Sequence, residues 1–235
     1  MSVLDEILDR TRAAAGAGQT PVAVFDLDST LFSTQPRNWA ILQEFAQGSR
    51  VPPLLKEKLA TLRSSDMRWN AMDDLRRNGF ADESTLQQLR DFWFLRFFRD
   101  EYLAHDVPLP GATEFVREMH AAGATVYYLT GRDEPNMGKG TRRSLVSHGF
   151  PFEEPRVHLR LKPMFEEHDL GFKQRVIAEL GRAGQVVVCA ENEPANANMF
   201  FAAFPDAHHL LLETVCSPHA PPLAPGIHRV KDFVR

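Results

Sequence analysis

Residues 22–32 read VAVFDLDSTLF, an apolar run that breaks into two aspartates, Asp26 and Asp28, separated by one leucine. A run of this length without alternation, preceded by Pro21, reads as a strand buried on both faces, which is the signature of a parallel sheet covered by helices. The rest of the chain supports that sheet. From residue 110 onward helical and strand patterns alternate: PGATEFVREMHAAG, then ATVYYLT, KGTRRSLVSHG, RVHLRL, FKQRVIAELG, QVVVCA, NANMFFAAFP, HHLLL and a last strand IHRV. Such alternation predicts an α/β fold with a Rossmann-like parallel core. Between Gln35 and His105 only helical signals occur, with a capping-box spacing at Ser84 and Gln87. The helical stretch reads as an insertion after the first strand. The expected division is a core of residues 1–33 and 107–235 with an all-helical cap domain at 34–106.

Composition narrows the function classes. The 235 residues carry 43% hydrophobic residues, enough for a substantial core, and a net charge of −4 offers no basic field for nucleic acid or an anionic membrane. Of two cysteines, Cys189 lies inside an apolar run and reads as a small core residue. The N-terminal segment is acidic and amphipathic, with Ser2 and Asp5 at capping-box spacing, and no stretch approaches the ~20 apolar residues of a membrane span. A soluble, cytoplasmic protein with a small-molecule partner is the expectation.

In an open parallel sheet, ligands bind beyond the carboxyl ends of the strands, where Asp26 and Asp28 fall. Side chains at i and i+2 of an extended segment face the same way, so both carboxylates can present hard oxygen to a cation. The competing reading is a capped turn, which Asp and Ser also make. Two further strand ends favour chemistry. ATVYYLT ends on Thr130 and Gly131, a hydroxyl donor and a residue that lets backbone approach an anion closely, with Arg132 following. VVVCA ends on Glu191, Asn192 and Glu193, with Asn196 beyond, and Lys173 begins the helix leading into that strand.

Together these residues resemble the haloacid dehalogenase superfamily, phosphatase branch, over nearly the whole chain. The first motif stands as Asp26, Leu27, Asp28, Ser29 and Thr30, the second as Thr130, and the third motif's lysine as Lys173 or Lys162. The fourth departs from the usual Gly-Asp followed by another acid, and reads Ala190, Glu191, Asn192, Glu193, Pro194, Ala195, Asn196. The resemblance implies Mg²⁺ held by Asp26, Asp28, Glu191, Asn192 and Asn196, with Glu193 as the alternative to Glu191. It further implies phosphate or substrate contacts from Leu27, Thr30, Gly131, Arg132 and Lys162. Asp26 would be the nucleophile and Asp28 the proton shuttle, with Thr130 and Lys173 binding the transferring phosphoryl group. An acid at position 28 argues against halide displacement. Hydrolysis of a small phosphomonoester is the leading expectation, ahead of phosphotransfer or mutase chemistry and of a binding module that keeps the fold.

The insertion matches the position of the family's C1 cap, which excludes water and reads the leaving group. Its aromatic stretch RDFWFLRFFRDEY is expected to be structural, with Leu86, Leu89, Trp93 and Phe97 as a core stripe and Arg90, Arg96 and Arg99 on a solvated face. His208 and His209 read as turn or surface residues, and Arg132 and Lys139 as surface charge or substrate contacts in equal measure.

Overall fold

The computed structural model describes residues 1–49, 51–80 and 82–235; positions 50 and 81, inside the inserted stretch, lie outside the described residues. Strand β1 (Pro21–Phe25) sits centrally in a six-stranded sheet. Beside it lie β4 (Thr125–Asp133) and β6 (Gln185–Glu191), flanked in turn by β5 (Val157–Lys162) and by β7 (His208–Leu212) then β8 (His228–Val230). The order is β5-β4-β1-β6-β7-β8 and every pairing is parallel. The chain steps outward on one side of β1, then crosses to the other. That reversal opens a crevice at the carboxyl end of β1.

The two-residue period of β1 divides its side chains between two cores. Ala23 and Phe25 join Leu27 against α1 (Val3–Gly16) and α6 (Ala112–Ala121), through Leu4, Ile7, Leu8, Phe115 and Met119. Val22 and Val24 face α8 (Asp169–Ala183) and α9 (Pro194–Ala203), through Phe172, Val176, Leu180 and Phe200. Burial on both faces is why the run shows no alternation. On the first face Ser2 and Asp5 close the capping box of α1 as the spacing predicts.

The inserted stretch holds α2 (Gln35–Ala46), α3 (Pro53–Thr61), α4 (Ala71–Arg77) and α5 (Glu83–Phe97), with a core of their own built on Leu42, Leu55, Leu59, Met67, Leu75, Leu86 and Leu89. Three local expectations change. The pattern at 52–80 is two helices separated by a short 3₁₀ turn at Ser64–Asp66, because Leu62 is extended and Asn70 starts a new helix by capping Met72 N–H. The cap of α5 is Asp82, whose carboxylate accepts from Ser84 and Thr85 N–H, so Ser84 lies inside the helix. A two-strand antiparallel ribbon joins the block to the sheet: β2 (Phe32–Ser33) pairs with β3 (Val107–Pro108), and Leu109 N–H donates to Leu31 O at 2.9 Å. Both crossings between block and core are thus tied at one point. α7 (Glu134–Ser147) follows β4, starting five residues before the predicted helix because Asp133 caps Asn136 N–H. Among the described residues no helix is long and apolar enough to cross a membrane.

Candidate active site

Asp26 N–H makes the last rung of β1 to Ala190 O, 3.1 Å, and the chain then hooks. Leu27 O accepts from Thr30, Leu31 and Phe32 N–H, and Ser29 takes a left-handed conformation, φ 59°. A non-glycine residue in that region is strained, and such strain gathers at functional sites. The hook leaves the Asp26 and Asp28 carboxylates on a cavity of about 370 Å³, shared with Thr130, Gly131, Lys162, Asn192 and Glu193 from the other strand ends and with Asp169, Lys173 and Asn196 from the starts of α8 and α9. A neighbouring cavity of about 580 Å³ contains none of the β1 carboxylates and meets the first along Ser29, Arg68, Trp69 and Val215.

Between the two candidate lysines the geometry differs sharply. Lys173, fully buried, donates to Asp26 Oδ1 at 2.8 Å and to Glu191 Oε1, with Asp169 Oδ2 at 3.7 Å. Lys162 lines the cavity, but its ammonium donates to the Phe165 and Glu167 carbonyls at 3.1 and 2.9 Å. One ammonium therefore serves three carboxylates. Burial first, and then the Glu191 and Asp169 charges, push Asp26 up from the ordinary carboxylate range against the pull of Lys173.

Asp28 lies in a different field. Its Oδ1 accepts from Arg132 Nη2 at 2.6 Å and Arg37 Nη2 at 2.7 Å, and the same two guanidiniums hold Asp106, with Arg37 Nε donating to Asp106 Oδ1 at 2.8 Å. Burial alone would raise Asp28; Arg132 and Arg37 outweigh it and hold the carboxyl well below the usual range. Arg37 and Asp106 flank the β2–β3 ribbon in sequence, so the cluster locks together the two ends of the inserted stretch. Arg132 is accordingly neither surface charge nor a cavity residue: it is fully buried, and its Nη1 donates to Thr141 Oγ1. Lys139 is exposed.

Other expected contacts sort by burial. The Leu27 side chain is in the core, so only its backbone is free to meet a ligand. Thr30 is fully buried and donates to Asn192 Oδ1 at 3.2 Å, while Asn192 Nδ2 donates to Val215 O, so both ends of that amide are engaged. Thr130 lines the cavity and accepts from Arg132 N–H. Glu191 does not line the cavity: Oε1 takes Lys173 and Asn196 Nδ2, and Oε2 takes the Asn192 and Glu193 N–H groups. Glu193 does line it, and only its Oε1 is engaged, by Ser217 N–H at 2.9 Å.

Asp169 was not singled out by sequence reasoning, although it stands one helical turn before Lys173. Its Oδ1 is buried with no hydrogen-bond partner among the described residues, and an added Cβ on Gly131 would come within 2.4 Å of it, so a larger residue there would force that carboxylate to shift. The oxygen chemistry fits a hard cation: an orphaned Asp169 oxygen and a surplus of carboxylates over ammonium share one crevice. Among the described residues no group of three or more His, Cys, Asp or Glu side chains is placed to hold a metal ion.

Three further expectations change. Leu86 and Leu89 pack in the helical core, but Trp93 and Phe97 line the cavity that holds Asp26 and Lys173, together with Trp69 and Phe98. Arg90 and Arg99 are exposed, whereas Arg96 is half-buried against Glu44 and over the Phe92 ring. His209 is buried in β7 with Nε2 on Phe204 O at 2.9 Å, so it is not a surface residue.

The chain is similar in fold to several solved structures. They include a Clostridium difficile protein described as a phosphatase by inference (TM-score 0.55, 11% identity, 86% of this chain and 89% of that one). Protein Tyrosine Kinase A of Mycobacterium tuberculosis matches with TM-score 0.54, 14% identity and coverage of 92% and 94%. A class C acid phosphatase from Bacillus anthracis, bound to tungstate, gives TM-score 0.44, 15% identity and 83% coverage, and the chain spans only 65% of its length. Identities this low establish shared fold, and the names differ in chemistry. No curated protein matches the sequence. Residues 20–203, which carry the Asp26–Lys173 pair and the inserted helices alike, match the family model described as haloacid dehalogenase-like hydrolase, and the chain belongs to that family.

Proposed function

We propose that this hydrolase is a Mg²⁺-dependent phosphatase acting on a small phosphomonoester through an aspartyl-phosphate on Asp26. The observation that carries the reading is the Asp26–Lys173 pair at 2.8 Å on the floor of a cavity roofed by the inserted helices. Asp26, in its ionised form, attacks phosphorus, the bond to the ester oxygen breaks, and the leaving alkoxide takes a proton from Asp28, a role that requires substrate to draw Arg132 and Arg37 away from the carboxylate they keep ionised. Water then attacks phosphorus, the bond between phosphorus and the Asp26 oxygen breaks to regenerate the carboxylate, and the water's proton goes to Asp28. Because both guanidiniums sit on Oδ1, Oδ2 is the oxygen left to carry that proton. Thr130 and Lys173 donate to the charge-spread phosphoryl oxygens.

Asp26 and Asp169 would hold the Mg²⁺, joined by the Asp28 carbonyl; Glu191, saturated by four donors, supports Lys173 instead. When bound, the cation supplies the positive charge that lets a dianion approach a carboxylate-rich site. Residues 34–106 act as a cap that closes the cavity and reads the leaving group, in a cytoplasmic enzyme. Phosphate release from a panel of phosphomonoesters, with Mg²⁺ and after exhaustive chelation, tests the proposal. Metal-dependent release is expected; full turnover in chelated enzyme would overturn the Mg²⁺ requirement, and no release from any ester would overturn the phosphatase reading.

A further inference from the structure

We infer that the catalytic cavity selects phosphate esters whose leaving group carries a flat aromatic ring, with Trp69 as the stacking platform. The inference rests on the phosphatase reading and adds the substrate class. Four aromatic side chains, Trp69, Trp93, Phe97 and Phe98, line the same cavity as Asp26, Thr130 and Lys173. Three of them are already partnered. The Trp93 indole N–H donates to Asn38 Oδ1 at 2.7 Å, and its ring stacks on Phe97 at 4.6 Å. Phe97 lies under the Arg37 guanidinium at 4.5 Å, and Phe98 packs edge-on against Phe97 and Phe165.

Trp69 stands apart from these. It is 51% exposed, and among the described residues its ring pairs with no other aromatic and its indole N–H has no acceptor. Tryptophan is ordinarily well buried, and its N–H normally finds a partner, as Trp39 does on Leu62 O at 3.0 Å. An unpartnered indole at the junction of three cavities, two residues before α4, presents a large apolar surface to whatever enters beside the phosphate. Ligand pockets commonly run about 300–1,000 Å³, so the cavity of about 370 Å³ beside Asp26 has room for a phosphate with one ring system, with the neighbouring cavity opening beyond Trp69. An aliphatic group of the same size would fill the space without the ring-on-ring contribution.

The test compares an aromatic and a saturated ester of similar shape, with non-hydrolysable phosphonates to remove the difference in leaving-group acidity between them. Benzyl phosphate and cyclohexylmethyl phosphate are assayed for kcat/KM, and benzylphosphonate and cyclohexylmethylphosphonate are titrated by calorimetry in the presence of Mg²⁺. The aromatic member of each pair is expected to be favoured by about two- to tenfold, the range of one aromatic contact. Trp69→Leu, checked for folding by circular dichroism, is expected to bring both ratios close to one. Ratios near one in the parent protein, or ratios that Trp69→Leu leaves intact, would overturn the inference. If neither ester is hydrolysed while the phosphonates still discriminate, the phosphatase reading fails and the aromatic site stands.

Discussion

Asp106→Ala is expected to destabilise the fold by about 3–5 kcal/mol, the loss typical of removing one partner from a buried ion pair. The cluster under the inserted helices is balanced, with Asp28 and Asp106 facing Arg37 and Arg132. Both guanidiniums and the Asp106 carboxylate are fully buried, so water cannot replace a missing partner. Alanine at 106 removes the acceptor for Arg37 Nε and Nη2 and for Arg132 Nη2, leaving two buried cations on Asp28 alone. For a domain of this size each kcal/mol moves Tm by roughly 2–4 °C, so a fall of roughly 6–20 °C is expected by calorimetry. Asp106→Asn, which keeps an acceptor but not the charge, should fall between. Pairing Asp106→Leu with Arg37→Met should cost less than the sum of the two single changes, because the pair leaves together. A Tm within about 2 °C of the parent for Asp106→Ala would refute the description of this cluster as a lock between the two chain crossings.

Two further outcomes test the assignment of individual residues. Lys173→Met should lower phosphate release by roughly 10²–10³, the usual loss of one donor to a developing oxyanion. Lys162→Met, whose ammonium is spent on two backbone carbonyls, should lower it less than about tenfold, and equal losses would return Lys162 to the site. For His209, burial first pushes the imidazole down, with His208 and His228 adding to the shift against the Phe204 carbonyl. The folded value lies below the unfolded one of about 6.5, so stability is full above that pH and is lost as pH falls below it. Thermal melts of His209→Leu should therefore decline less than those of the parent between pH 7 and pH 5; parallel declines would show that His209 titrates freely.

Much of the fold was legible because burial on both faces of a parallel sheet writes unbroken apolar runs, and β1, β4, β6 and β7 were all read that way. The Asp26–Asp28 pair was legible for the same reason, since charge stops a buried strand abruptly. What escaped reading depends on contacts distant in sequence. The β2–β3 ribbon has two residues per strand, too short for any period to show. Arg37 and Asp106 drew no reading, and Arg132 stood between surface charge and substrate contact, because burial of any one is tolerable only beside the others, across 69 and 26 positions. One signal was available: Arg37 stands on the buried stripe of α2 with Ile41 and Phe45, where an unpaired arginine would not be tolerated. The aromatics of α5 followed helical spacing, but period alone cannot tell a core from a cavity wall. Leu86 and Leu89 face the first, and Trp93 and Phe97 the second.

The most direct test of nucleophilic attack by Asp26 is rapid acid quenching during Mg²⁺-supported turnover of p-nitrophenyl phosphate, followed by borohydride reduction and peptide mass spectrometry. Borohydride reduces an aspartyl phosphate to the alcohol and releases phosphate. Homoserine in place of Asp26, appearing only in enzyme quenched during turnover and never in Asp26→Asn, is the expected result. Reduction at a different carboxylate, or an intact Asp26 together with an Asp26→Asn variant that still releases phosphate at near-normal rate, would contradict it.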